Sequence, residues 1–182
     1  MFELTLATAV VAGFVLLKGI LVLACGEKFC AWGKTVLYGR AIGIVVWSLA
    51  VIWTLWEVTK LGPADFGSFK VALFFVFLGL GISSVWMLKD YLFVRGAAVL
   101  ALFVSWWLLK AAYLRPEWTR LIYVAVVYVI VVAALYFAVA PWRMCDIVVS
   151  LEKNKLAQKI VGGWYVALGL VLVGVAASYR FV

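Results

Sequence analysis

A single lysine, Lys18, is the residue whose position most clearly invites chemistry, because it interrupts the otherwise uncharged stretch Leu4–Ala24. A charged lysine at the centre of a membrane-spanning helix costs roughly 2.5–3.5 kcal/mol on insertion scales. Counting residues along the other apolar stretches places hydroxyl-bearing side chains at a similar depth: Ser48, Ser83, Ser84, Tyr136 and Tyr165. These residues predict either a structural hydrogen-bond cluster or a site that binds a lipid phosphate, a carboxylate or another anion.

The direction of the Lys18 side chain decides whether the ammonium can snorkel, that is, extend to the nearer membrane boundary. Helix side chains lean toward the N-terminus of their helix. For Lys18 this direction leads away from Ala24, the nearer end of the stretch. This geometry favours an inward-facing lysine more than is usual, and snorkelling is the alternative.

Three cysteines are the other candidates for chemistry. Cys25 and Cys30 have a C-x4-C spacing, which is neither the C-x-x-C of redox proteins nor a zinc-binding spacing. On the cytoplasmic side all three thiols are expected to be free. With the opposite orientation Cys25 and Cys30 would face an oxidising space, and a thiol oxidoreductase with Cys145 as a third thiol becomes the alternative.

The residues that are missing or peripheral exclude much other chemistry. Without histidine the chain has no bis-histidine haem, no His-ligated metal and no imidazole base. Proton and sodium pathways usually need an acidic residue inside a span. Every acidic residue here lies at or beyond the span ends: Glu3, Glu27, Glu57, Asp65, Asp90, Glu117, Asp146 and Glu152. We predict no catalytic residue, no metal site and no cofactor.

Six apolar stretches must position these residues. A helix needs about 20 mainly apolar residues to cross the hydrocarbon, and 69% of this chain is hydrophobic. Because backbone groups in lipid must be satisfied within their own segment, the sequence predicts an all-α fold: one transmembrane domain over residues 1–182, a compact bundle of six helices. The predicted spans are Leu4–Ala24, Ala41–Val58, Val71–Leu88, Tyr91–Leu109, Leu121–Ala140 and Ile160–Ser178.

Two features predict how the helices connect. Only Lys89 and Asp90 separate the third and fourth spans, which predicts a tight antiparallel hairpin. Tyr38–Gly43 before the second span resembles Phe93–Ala98 at the head of the fourth, each with a basic residue followed by small ones. This weak internal echo suggests three helical hairpins, although ordinary helix-start preferences could also produce it.

The segment between the fifth and sixth spans has helical periodicity of its own. Met144, Ile147, Val148 and Leu151 recur at helical spacing, with charged residues on the other side. This pattern is typical of a short helix lying in the membrane interface. An ordinary loop is the alternative.

Lys and Arg residues in the connecting segments predict the orientation. Lys18 aside, one side of the predicted topology carries nine of them: Lys28, Lys34, Arg40, Lys89, Arg95, Arg143, Lys153, Lys155 and Lys159. The other side carries six: Lys60, Lys70, Lys110, Arg115, Arg120 and Arg180. The bias places both termini outside the cytoplasm, in a bacterial inner membrane. Anionic lipid headgroups then account for the net charge of +8, and no nucleic-acid partner is expected.

Small residues predict helix contact faces, because they let helices approach closely in lipid. The faces are Ala9 with Gly13, Ala97 with Ala101 and Ser105, and Gly163 with Ala167, Gly174 and Ser178. We therefore predict a non-catalytic accessory or scaffold subunit that packs against protein partners or further copies of itself. The competing prediction is a small transporter or lipid- or anion-binding protein organised around Lys18.

Overall fold

The chain folds into α-helices throughout the part that the computed structural model describes, residues 2–62, 66–87, 90–116 and 118–179. These residues form seven α-helices and no strand: α1 (Phe2–Tyr38), α2 (Arg40–Thr59), α3 (Lys70–Met87, after a 3-10 turn at Gly67–Phe69), α4 (Leu92–Ala112), α5 (Arg120–Val139), α6 (Pro141–Lys153) and α7 (Lys155–Ser178). Some residues named above lie outside the described ranges: Asp65, Leu88, Lys89, Glu117 and Arg180.

All of these helices except α6 are long and apolar enough to cross a membrane. The predicted all-α class with six long apolar helices is thereby confirmed. The 13-residue α6 occupies the segment for which a short helix or a loop was predicted, and it is a helix. Of the predicted apolar face, Met144 and Val148 pack against buried residues of the bundle, and Ile147 is exposed.

The first helix is longer than the predicted span, which ended at Ala24. It bends at Cys25, where φ is −131° and ψ is 32°, and continues to Tyr38. Contacts beyond the bend explain the extension: Lys34 forms an ion pair with Glu152 of α6, and Gly33 lies against Val148. The segment predicted as a loop is therefore a helix supported by α6.

The helices do not pair as three sequential hairpins, so that prediction is wrong. The first helix packs chiefly against α7, and α4 packs between α2 and α5. The predicted tight hairpin between the third and fourth spans is also absent among the described residues, because α3 packs against α2 instead. Its attachment is specific: the Trp47 indole donates to the Gly81 carbonyl at 2.9 Å.

The junctions around α6 follow from local residue chemistry. Proline lacks a backbone donor and suits the first turn of a helix, so Pro141 ends α5 and opens α6. Asn154 caps α7 by accepting from the amides of Leu156 and Ala157 at 3.0 and 3.1 Å. The buried Gln158 donates to the Leu151 carbonyl at 2.8 Å and so satisfies the end of α6.

Two clusters of buried side chains hold the bundle. The larger lies near the N-terminal end of α1, where that helix meets the ends of α4 and α7 and the start of α5. Its buried members are Leu4, Val11, Ala12, Val15, Ala112, Tyr123, Val127, Leu172, Val175 and Tyr179. The smaller lies at the opposite end and joins Leu37 of α1, Val94 of α4 and Cys145 of α6.

Candidate functional site

Lys18 lies at the edge of the contact between α1 and α7, half-buried. Its ammonium Nζ is 5.3 Å from the centre of the Phe14 ring and 5.6 Å from the centre of the Tyr165 ring. Cations are attracted to the faces of aromatic rings at such distances. Phe14 precedes Lys18 by one helical turn, so the side chain extends toward the N-terminus of α1, as predicted from the lean of helix side chains.

The structure brings Tyr165 to Lys18, and the other predicted hydroxyl residues have their contacts elsewhere. Ser83 and Ser84 donate to the Leu80 carbonyl within α3. Ser48 is exposed on α2, and Tyr136 is exposed with its ring against Phe137. Lys18 and Tyr165, with Phe14, are called the lysine flank below.

Four carboxylates of the described chain form ion pairs with basic residues other than Lys18. Glu57 pairs with Lys60 at 3.0 Å, and Glu27 pairs with Lys155 at 2.9 Å. Glu3 lies 3.9 Å from Arg115, and Glu152 pairs with Lys34. Within the described ranges no carboxylate forms an ion pair with Lys18.

The three cysteines differ in burial, and all are free thiols. Cys25 is exposed at the bend of α1, whereas Cys30 is buried one and a half turns further along. Cys145 is buried under α1, in the smaller cluster with Leu37 and Val94. Burial raises the pKa of the Cys145 thiol, because the thiolate loses its hydration.

We expect N-ethylmaleimide to alkylate Cys25 first in the folded, detergent-solubilised protein. Alkylation needs the thiolate, so a raised pKa lowers the reactive fraction of Cys145 at neutral pH. The alkylation rate of Cys145 should therefore rise only at more alkaline pH. Single-cysteine variants, followed by peptide mass spectrometry across a pH series, would measure the rates. Cys145 should react roughly tenfold or more slowly than Cys25; equal rates at neutral pH would contradict its burial.

Glycines make the closest helix contacts within the chain. A Cβ atom on Gly19 of α1 would lie 2.8 Å from the Val166 amide of α7, and one on Gly162 would lie 2.7 Å from Leu23. In the contact between α2 and α4, a Cβ on Gly96 would lie 2.9 Å from the Trp47 amide. These distances are too short for a side chain, so the glycines allow the backbones to touch.

Other glycines of α1 and α7 face away from the bundle. A Cβ on Gly13, Gly163 or Gly174 would meet nothing within 4 Å among the described residues. At 100° of rotation per residue, Gly13 is rotated about the α1 axis by about 120° from the buried Gly19. About the α7 axis, Gly163 is rotated by about 100° from the buried Gly162, and Gly174 by about 140° from the buried Gly169, all in the same sense. Because α1 and α7 run antiparallel, all three lie on one side of the pair, called the glycine flank below.

The lysine flank lies on the opposite side of the α1–α7 pair. Lys18 is rotated by about 100° from Gly19, and Tyr165 by about 60° from Gly162, both in the opposite sense to the glycine flank. The cation–π contact between Lys18 and Tyr165 agrees with this placement. The pair therefore carries a basic site on one side and an open small-residue surface on the other.

The sequence reasoning identified some contact faces and missed others. Ser105 of the predicted α4 face is buried, and Gly163, Ala167 and Gly174 of the predicted α7 face are exposed. The glycine contacts within the bundle were missed. Their signal is in the sequence, because Gly162 and Gly169 are seven residues apart and so share one helix face.

The fold and the two flanks define the class: an all-α protein with six long apolar helices, consistent with a membrane-embedded protein. No group of three or more Cys, Asp or Glu side chains among the described residues is arranged to hold a metal ion. No family model, curated protein or solved structure matches this chain.

Proposed function

We propose that this chain is a non-catalytic integral membrane protein that acts as an accessory or scaffold subunit. The glycine flank carries the proposal, because it is an open small-residue surface on a helix pair that elsewhere uses glycine for close helix contact. Its partner is another membrane-embedded helix, from a different protein or from a second copy.

The energetic argument concerns glycine in helices. Glycine at an interior position lowers the stability of a helix by about 0.5–1 kcal/mol relative to alanine. In lipid, small residues compensate for this cost where they let another helix approach closely. Gly13, Gly163 and Gly174 have no such neighbour within the described chain. A partner helix on the glycine flank would provide the contact.

The Lys18-centred alternative, a transporter or a lipid- or anion-binding protein, has less support from the geometry. A cluster of several hydroxyls around the ammonium would favour it, and only Tyr165 lies there of the five predicted residues. A thiol oxidoreductase is less supported still, because Cys25 is exposed and Cys30 is buried. The finer location remains part of the proposal: a bacterial inner membrane, with both termini outside the cytoplasm.

Leucine on the glycine flank should release the chain from its membrane partners. In Gly163→Leu with Gly174→Leu, each new side chain projects into the space that the partner helix needs. Native mass spectrometry of protein extracted gently from its own membrane would measure the fraction that carries bound subunits or further copies. We expect this fraction to fall at least about fivefold, which corresponds to a loss of about 1 kcal/mol.

Gly79→Leu is the matched control. Gly79 of α3 also has nothing within 4 Å of a Cβ, but it lies outside the α1–α7 pair. The control should leave the bound fraction unchanged. The proposal fails if the double variant keeps its partners, or if the wild-type chain is released alone.

A further inference from the structure

We propose that the lysine flank binds a partner's transmembrane helix that carries an aspartate or glutamate near its middle. This inference names the chemistry of a partner and rests on the proposed function of an accessory subunit. The carboxyl group would lie against the Lys18 ammonium, beside the Phe14 and Tyr165 rings. The attraction is charge complementarity at a depth where water cannot compete.

The depth of the ammonium is the first argument. Phe14 is the middle residue of Leu4–Ala24, and Lys18 Nζ lies 5.3 Å from the centre of its ring. The side chain thus extends toward the middle of the span and away from the nearer end at Ala24. A lysine that bound a headgroup phosphate would extend toward that end. The direction favours a ligand that is itself buried at mid-membrane depth.

The missing counter-charge is the second argument. Ionisable residues inside spans usually pair with one another, yet the carboxylates of the described chain that form ion pairs do so with basic residues other than Lys18. All eight acidic residues lie at or beyond the ends of the predicted spans. A second copy would therefore bring another lysine to this depth and no carboxylate. The counter-charge must come from a different protein.

Access and rigidity complete the argument. Phe14 is 59% exposed and Lys18 is half-buried, so the ammonium lies beside an exposed ring at the edge of the α1–α7 contact. Next to Lys18, a Cβ on Gly19 would lie 2.8 Å from the Val166 amide and 3.1 Å from the Gly162 carbonyl oxygen. The two backbones are in contact, which fixes the base of the lysine beside the exposed Phe14 ring.

A pair of synthetic helices tests this proposal on the full chain. Each peptide is a leucine–alanine helix of about 20 residues with an acceptor dye and a single central Glu, or Gln in the matched peptide. The protein is reconstituted in phosphatidylcholine vesicles, and energy transfer from its ten tryptophans reports association. We expect the Glu peptide to associate at least tenfold more tightly than the Gln peptide, which corresponds to about 1.4 kcal/mol.

Variants assign the preference to Lys18. Lys18→Met should remove the preference for the Glu peptide, and Lys18→Arg should keep it. Lys110→Met is the matched control, because Lys110 also lies over an aromatic ring, that of Trp106 at 5.6 Å, but at the end of α4. Equal association of both peptides with the wild-type protein would overturn the proposal without any variant. A preference that persists in Lys18→Met would also overturn it.

Two further conditions of the peptide assay test other ligands for Lys18, and one further variant separates this proposal from the proposed function. Phosphatidylglycerol in the vesicles tests a lipid phosphate, and inorganic phosphate in the buffer tests a free anion. Loss of the Glu preference in either arm would overturn the helix proposal and assign Lys18 to that ligand. Gly163→Leu should keep the preference, since it lies on the opposite flank. The peptide assay and the glycine-flank test can therefore fail independently.

Discussion

Gly96→Ala is expected to lower the free energy of unfolding by about 1–3 kcal/mol, the usual cost of inserting a methyl group into a closely packed site. The new Cβ would lie 2.9 Å from the Trp47 amide and 3.1 Å from the Val46 carbonyl carbon. Both atoms belong to the backbone of α2, so no side chain can rotate away. Relief requires α2 and α4 to separate, and α3 would move with α2, to which it is attached.

Gly79→Ala is the control for this prediction. A Cβ on Gly79 meets nothing within 4 Å, so the substitution should stabilise α3 by about 0.5–1 kcal/mol through helix propensity. Both variants can be compared by SDS titration in mixed micelles, with helicity followed by circular dichroism. If Gly96→Ala were as stable as Gly79→Ala, the close contact between α2 and α4 would be refuted.

Tyr123→Ala is expected to have the largest effect, about 3–5 kcal/mol, because truncating a large buried aromatic side chain leaves a cavity. Tyr123 is 0% exposed in the larger buried cluster, and its hydroxyl donates to the Leu108 carbonyl at 3.0 Å. This bond ties α5 to α4 across the bundle. Tyr123→Phe, which keeps the ring and removes the donor, should cost about 0.5–1.5 kcal/mol.

Tyr128→Ala on the same helix is the matched control. Tyr128 is 56% exposed, so its truncation should change the free energy of unfolding by less than about 0.5 kcal/mol. The same SDS titration measures all three tyrosine variants. A cost for Tyr128→Ala equal to that for Tyr123→Ala would show that the face of α5 that packs into the bundle has been assigned wrongly.

The existence of the six long helices could be predicted from hydropathy, but their neighbours could not. The predicted spans Val71–Leu88 and Tyr91–Leu109 follow one another closely, which favoured a hairpin. A helix that is apolar on every side does not show in its sequence which face meets protein and which meets lipid. The contact between Trp47 and Gly81 attaches α3 to α2, and no hydrophobic periodicity in the sequence predicts this contact.

The candidate site was predicted in part for a similar reason. Lys18 stands out because a charge in an apolar stretch is rare, and the lean of its side chain follows from helix geometry alone. Its neighbours depend on which helix packs against α1. Tyr165 was placed with Ser48 and the other hydroxyls by counting depth, and depth does not specify the side of the bundle. Only the contact between α1 and α7 separates Tyr165 from the rest.

The contact between α1 and α7 also has a consequence for biosynthesis. The 116 residues between Tyr38 and Lys155 must be made before α1 can meet its main partner. At about 5–20 residues per second, that takes on the order of 10 s. Throughout this interval Gly19 and Lys18 are open to other helices in the membrane. The order of synthesis thus leaves α1 open to chaperones and to mispairing until α7 has been made.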